Sequence, residues 1–188
     1  MKSILPLKIL ICYILFLPIS HAGEVLDSYI NYEDAHYQVR LKMKIEAELE
    51  TVYAILTDFN HLKDLNHNIK TSRLLQSNRK QHKVLIVAEG CVWVFCQEIK
   101  QVQLITELGN GYIQGVTLPD ESNMEYGRVL WHIQQQDEFT VINYRADVVP
   151  GFFVPPLIGP YIMQLRLLEE AERTIREIER IAQFEESY

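Results

Sequence analysis

Asp58, His61, Asp64 and His67 follow one another at three-residue steps in "DFNHLKDLNH". On a helix, that spacing would bring carboxylates and imidazoles onto one face, the raw material of a divalent-metal site. Such a site needs three or four ligands converging from supported positions, whereas a short polar helix presents its groups to water. The stretch is therefore read as a solvated face, with no metal. His132 falls on the polar side of a strand and is read as a surface histidine. Cys91 and Cys96 in "AEGCVWVFCQE" have no evident histidine partner for nucleophilic work. "LGNG" and "GYIQG" lack the following helix that would make their glycines a phosphate cradle, so they set turn geometry instead. No catalytic residue is assigned and no cofactor is implied.

The two cysteines leave a question open. Val92, Trp93, Val94 and Phe95 between them read as strand. A straight strand would hold the two Cα atoms roughly 16 Å apart, whereas a disulfide needs about 4.4 to 6.8 Å. Either this is a twisted strand with two buried thiols, or the chain bends there and the cysteines bond. The compartment bears on the choice.

The N-terminus "MKSILPLKILICYILFLPISHAGE" carries Lys2 and Lys8, an apolar run from Ile9 to Ile19, and small residues at Ser20 and Ala22 around His21. These are the marks of a secretory signal cleaved after Ala22, leaving residues 23–188 as a single domain. A retained anchor is the alternative, although the apolar run falls short of the roughly 20 residues a span needs. Removing Lys2 and Lys8 takes the 18 basic residues to 16 against 25 acidic ones, a balance of −9. Clustered cations for nucleic acid or an anionic membrane surface are missing, while transient apolar contact with lipid stays open. Exported protein with Cys91 and Cys96 sits where disulfides persist.

The elements that would position these residues follow from periodicity. "HYQVRLKMKIEAE" alternates, with Tyr37, Val39, Leu41, Met43 and Ile45 on one face, and predicts a first strand with one wet side. "ELETVYAILTDFNHLKDLN" shifts to helical spacing and predicts two short helices broken near Asp58. Strands are expected at 69–76, 82–89, 97–108, 112–118, 126–135 and 139–148. Closing "LGNGY" with Leu108 opposite Tyr112 pairs Leu104 with Val116, and the last hairpin is expected to set Trp131 against Ile142 and Val129 against Tyr144. From Leu157 to about Gln183, Ile158, Ile162, Leu165, Leu168, Ala171, Ile175, Ile178 and Ala182 form one stripe of a long amphipathic helix, whose only partner is the sheet. A coiled coil would need a stricter heptad.

Three segments together, "KIEAELETVYAILTDFNHLKDLNHNI", "YGRVLWHIQQQDEFTVINYRADV" and "PGFFVPPLIGPYIMQLRLLEEAERTIREIE", resemble the START-like (SRPBCC) superfamily of polyketide cyclase/dehydrases, coenzyme Q-binding proteins and lipid-transfer domains. The resemblance implies an α+β helix-grip fold: a curved antiparallel sheet wrapped on a long C-terminal helix, with two short helices after the first strand. In that family the segment matching "EGCVWVFCQE" is commonly a bend between neighbouring strands. Retaining that bend here, with cysteines in place of its usual proline, implies a Cys91–Cys96 disulfide.

The family comparison also implies an apolar cavity between sheet and helix. Its expected wall is Leu41, Met43, Leu104, Val116, Trp131 and Tyr144 from the sheet and Ile158, Ile162 and Leu165 from the helix. Gln114, with Thr106 and Tyr144, is expected to point inward and orient the polar head of a ligand. Trp93 and Phe95, with Phe152 and Phe153 of the proline-rich "VVPGFFVPPLIGPY", are expected to rim the mouth. The function expected is an exported binder or carrier of a hydrophobic, lipid-like small molecule. A cyclase or aromatase, or an interaction protein with a filled cavity, are the alternatives.

Overall fold

The computed structural model describes residues 23–92, 95–154 and 159–185. The expected signal segment 1–22, Trp93 and Ile158 lie outside the described residues, as do the side chains of Phe95 and Ile162. Eight strands form one antiparallel sheet: β1 (Glu24–Glu33), β2 (His36–Ile45), β3 (Ile69–Asn78), β4 (Gln81–Val92), β5 (Phe95–Gly109), β6 (Tyr112–Thr117), β7 (Met124–Gln136) and β8 (Phe139–Pro150). Their spatial order is β1-β2-β8-β7-β6-β5-β4-β3. Helices α1 (Leu49–Thr57) and α2 (Leu62–Leu65) follow β2, a 3-10 turn spans Pro119–Glu121, and α3 (Gly159–Glu185) lies against the sheet. This is the α+β helix-grip arrangement. No helix among the described residues is long and apolar enough to cross a membrane.

β2 alternates as its sequence does, burying Tyr37, Val39, Leu41, Met43 and Ile45. The two short helices break at Asp58, whose N–H closes the last turn of α1 on the Ala54 carbonyl. One strand was not foreseen. β1 precedes β2, so two strands, not one, lead into the helices. Its segment "EVLDSYINYE" has no clean alternation, a register irregularity falls between Val25 and Asp27, and its turn uses Asp34 and Ala35 at positive φ in place of the usual glycine. An edge strand with both faces partly wet carries little hydrophobic period.

The hairpin registers come close to expectation. Leu104 pairs with Val116, but Gly109, not Leu108, sits opposite Tyr112, with a shift between Glu107 and Gly109. In the last hairpin Gln136 pairs with Phe139, so Trp131 meets Tyr144 and Ile133 meets Ile142. The two-residue slip from the expected pairs preserves which face each side chain takes, because the side-chain period is two.

α3 departs from the expected stripe in its first half. Ala171, Ile175, Ile178 and Ala182 are buried in the core with the sheet and α1, but Leu165 is 52% exposed and Leu167 takes the inward position in its place. Position 167 is four residues before Ala171, about 40° round the helix, whereas Leu165 is six before it, about 120° away. The buried seam therefore begins at Leu167. Ile175→Asp, which would place an unpaired charge at a fully buried position, is expected to abolish cooperative melting or cost several kcal/mol. Leu165→Asp, on the outer side, is expected to melt within about 1–2 °C of wild type. Circular-dichroism melts of both variants check the contrast.

Candidate functional site

Where α3, α1 and α2 cross the concave face of the sheet, they leave a cavity of about 370 Å³. One wall is Leu41 and Met43 of β2 with Ile142, Tyr144 and Val148 of β8; the floor is Val129 and Trp131 of β7, Ile113 and Gly115 of β6, and Gln101, Gln103 and Ile105 of β5. α3 supplies the roof with Leu167, Glu170, Ala171, Thr174, Ile175 and Ile178, and Leu56, Phe59, Leu62 and Leu65 close the side at α1 and α2. A volume of this order suits a small ligand.

Of the residues expected at the cavity, Leu41, Met43, Trp131 and Tyr144 line it. Leu104, Gln114 and Val116 instead lie on the opposite face of β5 and β6, with Leu104 37% exposed, and Thr106 pairs with Gln114 on that same outer face. The inward residues of these two strands are Gln103, Ile105, Ile113 and Gly115. Assigning faces by hydrophobicity failed because the inner face of β5 looks onto a cavity and carries glutamines, while the outer face carries Val102 and Leu104. Val102 is buried there beneath the turn at Ser122, whose hydroxyl accepts from its N–H at 2.9 Å. Of the residues expected at the mouth, Phe152 is half-buried and Phe153 is 82% exposed, and neither lines the cavity.

Three neutral polar side chains of the cavity wall make no hydrogen bond among the described residues: Gln103 and Tyr144 on the sheet and Thr174 on the roof. The side-chain amide of Gln103 makes no hydrogen bond among the described residues, and neither does the hydroxyl of Tyr144, whose ring tilts against Trp131 with centroids 4.6 Å apart. Burial pushes the Tyr144 phenol up to about 12, so it is a neutral donor at any physiological pH. Gly115 makes room for the amide: a Cβ there would lie 2.9 Å from Gln103 Oε1 and 2.6 Å from Val129 Cγ2. Gln101 is already engaged, donating to Thr117 Oγ1 at 2.9 Å. On the roof, Glu170 Oε2 is buried and accepts no hydrogen bond, lying 3.6 Å from His67 Nδ1. No Lys, Arg or His lines the cavity among the described residues.

The series expected to stay a solvated face does not converge. Asp58 and His61 bond each other at 2.7 Å, while the Arg173 guanidinium donates to His67 Nδ1 at 2.9 Å. Among the described residues, Glu89, Cys91 and Cys96 are the one grouping of metal-ligand types, and both sulfurs are consumed in a disulfide. That disulfide joins directly paired residues of β4 and β5, with Cα atoms 4.0 Å apart. The bond implied by the family resemblance is present, and the strands run on past it to pair Val92 with Phe95. Its base is anchored by Asn123, which accepts from Lys100 N at 2.9 Å, donates to the Glu98 carbonyl at 2.7 Å, and accepts from Gly151 N at 3.0 Å. One asparagine thus joins the disulfide arm to the segment leading into α3.

A second polar cluster was missed in the sequence, because its members are scattered over four elements. The Tyr53 hydroxyl donates to Glu107 Oε2 at 2.5 Å, His82 Nε2 donates to Glu107 Oε1 at 2.8 Å, and Ser77 bonds His82 Nδ1 at 3.1 Å. None of the four lines the cavity; the Phe59 ring, which does, packs on His82 at 5.1 Å. The cluster clamps α1 to β3, β4 and β5. Burial alone would raise the Glu107 pKa, but the hydrogen bonds from Tyr53 and His82 and the charge of His82 outweigh it and hold the carboxyl below its ordinary value. Burial and the bond to Glu107 push the Tyr53 phenol well up.

No family model matches the sequence, and no curated protein does either. Solved structures do. A fragment of the STAR-related lipid transfer protein of Xanthomonas axonopodis superimposes with a TM-score of 0.63 at 13% identity, covering 87% of this chain and 99% of that one. A START superfamily protein of Mycobacterium smegmatis gives 0.59 at 18%, covering 78% and 97%. The Zhui aromatase/cyclase of a Streptomyces species gives 0.57 at 12%, covering 79% and 94%. The fold is START-like, with a space able to enclose a hydrophobic ligand, and it is similar to both a lipid carrier and an enzyme.

Two outcomes follow from this geometry. Because the folded pKa of Glu107 is depressed, its carboxylate contributes stability above the unfolded value, and that contribution is lost as pH falls through the folded one. Glu107→Gln is expected to cost about 1–3 kcal/mol at pH 7 and to flatten the fall in melting temperature between pH 5 and 3. Replacing both Cys91 and Cys96 by Ser is expected to cost about 2 kcal/mol or less, since the closed loop is short. Denaturant titrations compare these variants, and alkylation of unfolded, unreduced protein should find neither cysteine free.

Proposed function

We propose that this protein is an exported, non-catalytic carrier of an uncharged lipid-like molecule. The observation that carries the reading is the wall of the cavity: predominantly apolar, with neutral polar groups at Gln103, Tyr144 and Thr174 that have no hydrogen bond, one carboxylate at Glu170, and no cationic side chain among its described residues. A fatty-acid carboxylate or a phosphate placed there would be desolvated without a counter-charge, at a cost of several kcal/mol, and beside Glu170. A neutral polar group that donates to the Gln103 carbonyl oxygen, or one that accepts from the Tyr144 hydroxyl, meets no such penalty. The two groups stand on strands three apart, roughly 14 Å along the sheet, so they would hold opposite ends or edges of a ligand.

Export is supported by the signal-like N-terminus and by the exposed disulfide, a bond that persists in oxidising compartments. A carrier reading is further supported by exposed apolar residues where α3 begins: Phe153, Tyr161 and Leu165. These would touch a lipid surface during loading and release, without the basic patch that anionic membranes attract.

Organic extraction of the exported protein followed by mass spectrometry tests the assignment. A neutral lipid-like molecule should co-purify near one equivalent, and Gln103→Leu should reduce its occupancy, with about tenfold weaker binding of the re-added compound. Stoichiometric fatty acid or phospholipid would sink the neutral-head reading. Recovery of a chemically altered molecule after incubation would replace the carrier by an enzyme.

A further inference from the structure

The buried carboxylate of Glu179 does not line the cavity and forms no ion pair among the described residues. It is 7% exposed on the seam of α3 between Ile175 and Ala182, and no Lys or Arg lies within ion-pair distance of it among the described residues. The nearby Lys44 ammonium is engaged by Glu46 Oε1 at 2.5 Å. What Glu179 does have is two main-chain donors on one oxygen: Oε1 accepts from Glu46 N at 2.8 Å and from Gly23 N at 2.8 Å. Gly23 is the residue that follows the expected cleavage point at Ala22.

From this coincidence we infer that Glu179 is the seat of the processed N-terminus: cleavage after Ala22 turns the Gly23 nitrogen into an ammonium ion that pairs with the buried Glu179 carboxylate. Hydrolysis by a leader peptidase adds the water oxygen to the Ala22 carbonyl carbon and breaks its bond to the Gly23 nitrogen. Ala22 departs as a carboxylate, and the nitrogen, now bearing three protons, remains at its place on Glu179. A neutral donor is exchanged for a cation at a carboxylate that otherwise lies buried with neutral donors alone, and charge-assisted hydrogen bonds of this kind are roughly twice as strong as neutral ones.

The seat admits only glycine. A Cβ on residue 23 would lie 2.3 Å from Glu179 Oε1, 2.5 Å from the Lys44 carbonyl oxygen and 2.6 Å from Ile175 Cγ2. The crowding explains why the first residue after the cleavage point has no side chain, and it places the new charge at the contact of β1, β2 and α3. Processing would then fasten the cavity's roof to the edge of the sheet. The inference rests on the export reading and not on the identity of any ligand.

The test uses the exported protein in two forms, confirmed by intact mass: the native chain, and a chain with one alanine inserted between Ala22 and Gly23, so that the terminal charge is moved one residue outward while Gly23 keeps an N–H. Each is made with Glu179 intact and as Glu179→Gln, which keeps an acceptor but no charge. The native form should begin at Gly23 and melt about 3–8 °C above the alanine-extended form, and this difference should vanish in the Glu179→Gln pair. Three results would overturn the inference: an exported chain that does not begin at Gly23, equal melting of the two forms with Glu179 intact, or a difference that survives Glu179→Gln.

Discussion

One long helix, with two short ones at one side, has to cover the inner face of eight strands. Strands spaced about 4.8 Å apart make a sheet far wider than the roughly 10 Å of a helix, so the sheet must curl around α3 and cannot be filled by it evenly. The filling is good at the C-terminal half of the helix, where Ile175, Ile178 and Ala182 are buried among Val39, Ile45, Val52 and their neighbours. Toward its N-terminal half, from Leu167 to Thr174, the helix stands over the floor of β5, β6 and β7 without reaching it. The cavity is the space that this mismatch leaves, and the stability of the fold is concentrated away from it.

Polar residues on the inner face make sense in that light. Gln101, Gln103 and Glu107 alternate with their outward neighbours on β5, and each meets a different environment. Glu107 is at the end covered by α1 and is fully engaged by Tyr53 and His82. Gln101 is engaged by Thr117. Gln103, between them, faces open space and keeps its amide free. An unpaired amide against packed apolar groups would be costly, whereas against a cavity it can be met by water or by a ligand.

The periphery is held by a few directed bonds in place of packing. The disulfide joins β4 and β5 at the far tip of their hairpin, and Asn123 fastens the base of the same arm to the segment that enters α3. At the opposite edge, Glu179 gathers the main chain of Gly23 and Glu46 beneath α3. The C-terminal half of the roof helix is thus tied to the sheet edge by one side chain, while among the described residues no directed bond joins its middle to the floor.

The order of strands, the two helices broken at Asp58, the long terminal helix and the buried face of β2 were all legible in the sequence, because each depends on local periodicity and turn chemistry. β1 was not, since an edge strand half-exposed on both faces has no strong period, and its turn at Asp34 and Ala35 lacks the residues that usually mark one. The cavity wall was legible where an inner face is apolar, as at Leu41, Met43, Trp131 and Tyr144. It was misread on β5 and β6, where Leu104 and Val116 are the more hydrophobic choice but face outward. Periodicity divides a strand into two faces and cannot say which one meets a void; that depends on where a helix distant in sequence comes to rest. The Cys91–Cys96 bond was legible only through the resemblance to a family with a bend at that place, because a straight strand would keep the two residues apart. Tyr53, His82 and Glu107 were not legible, because they become one cluster only when α1 docks on the sheet.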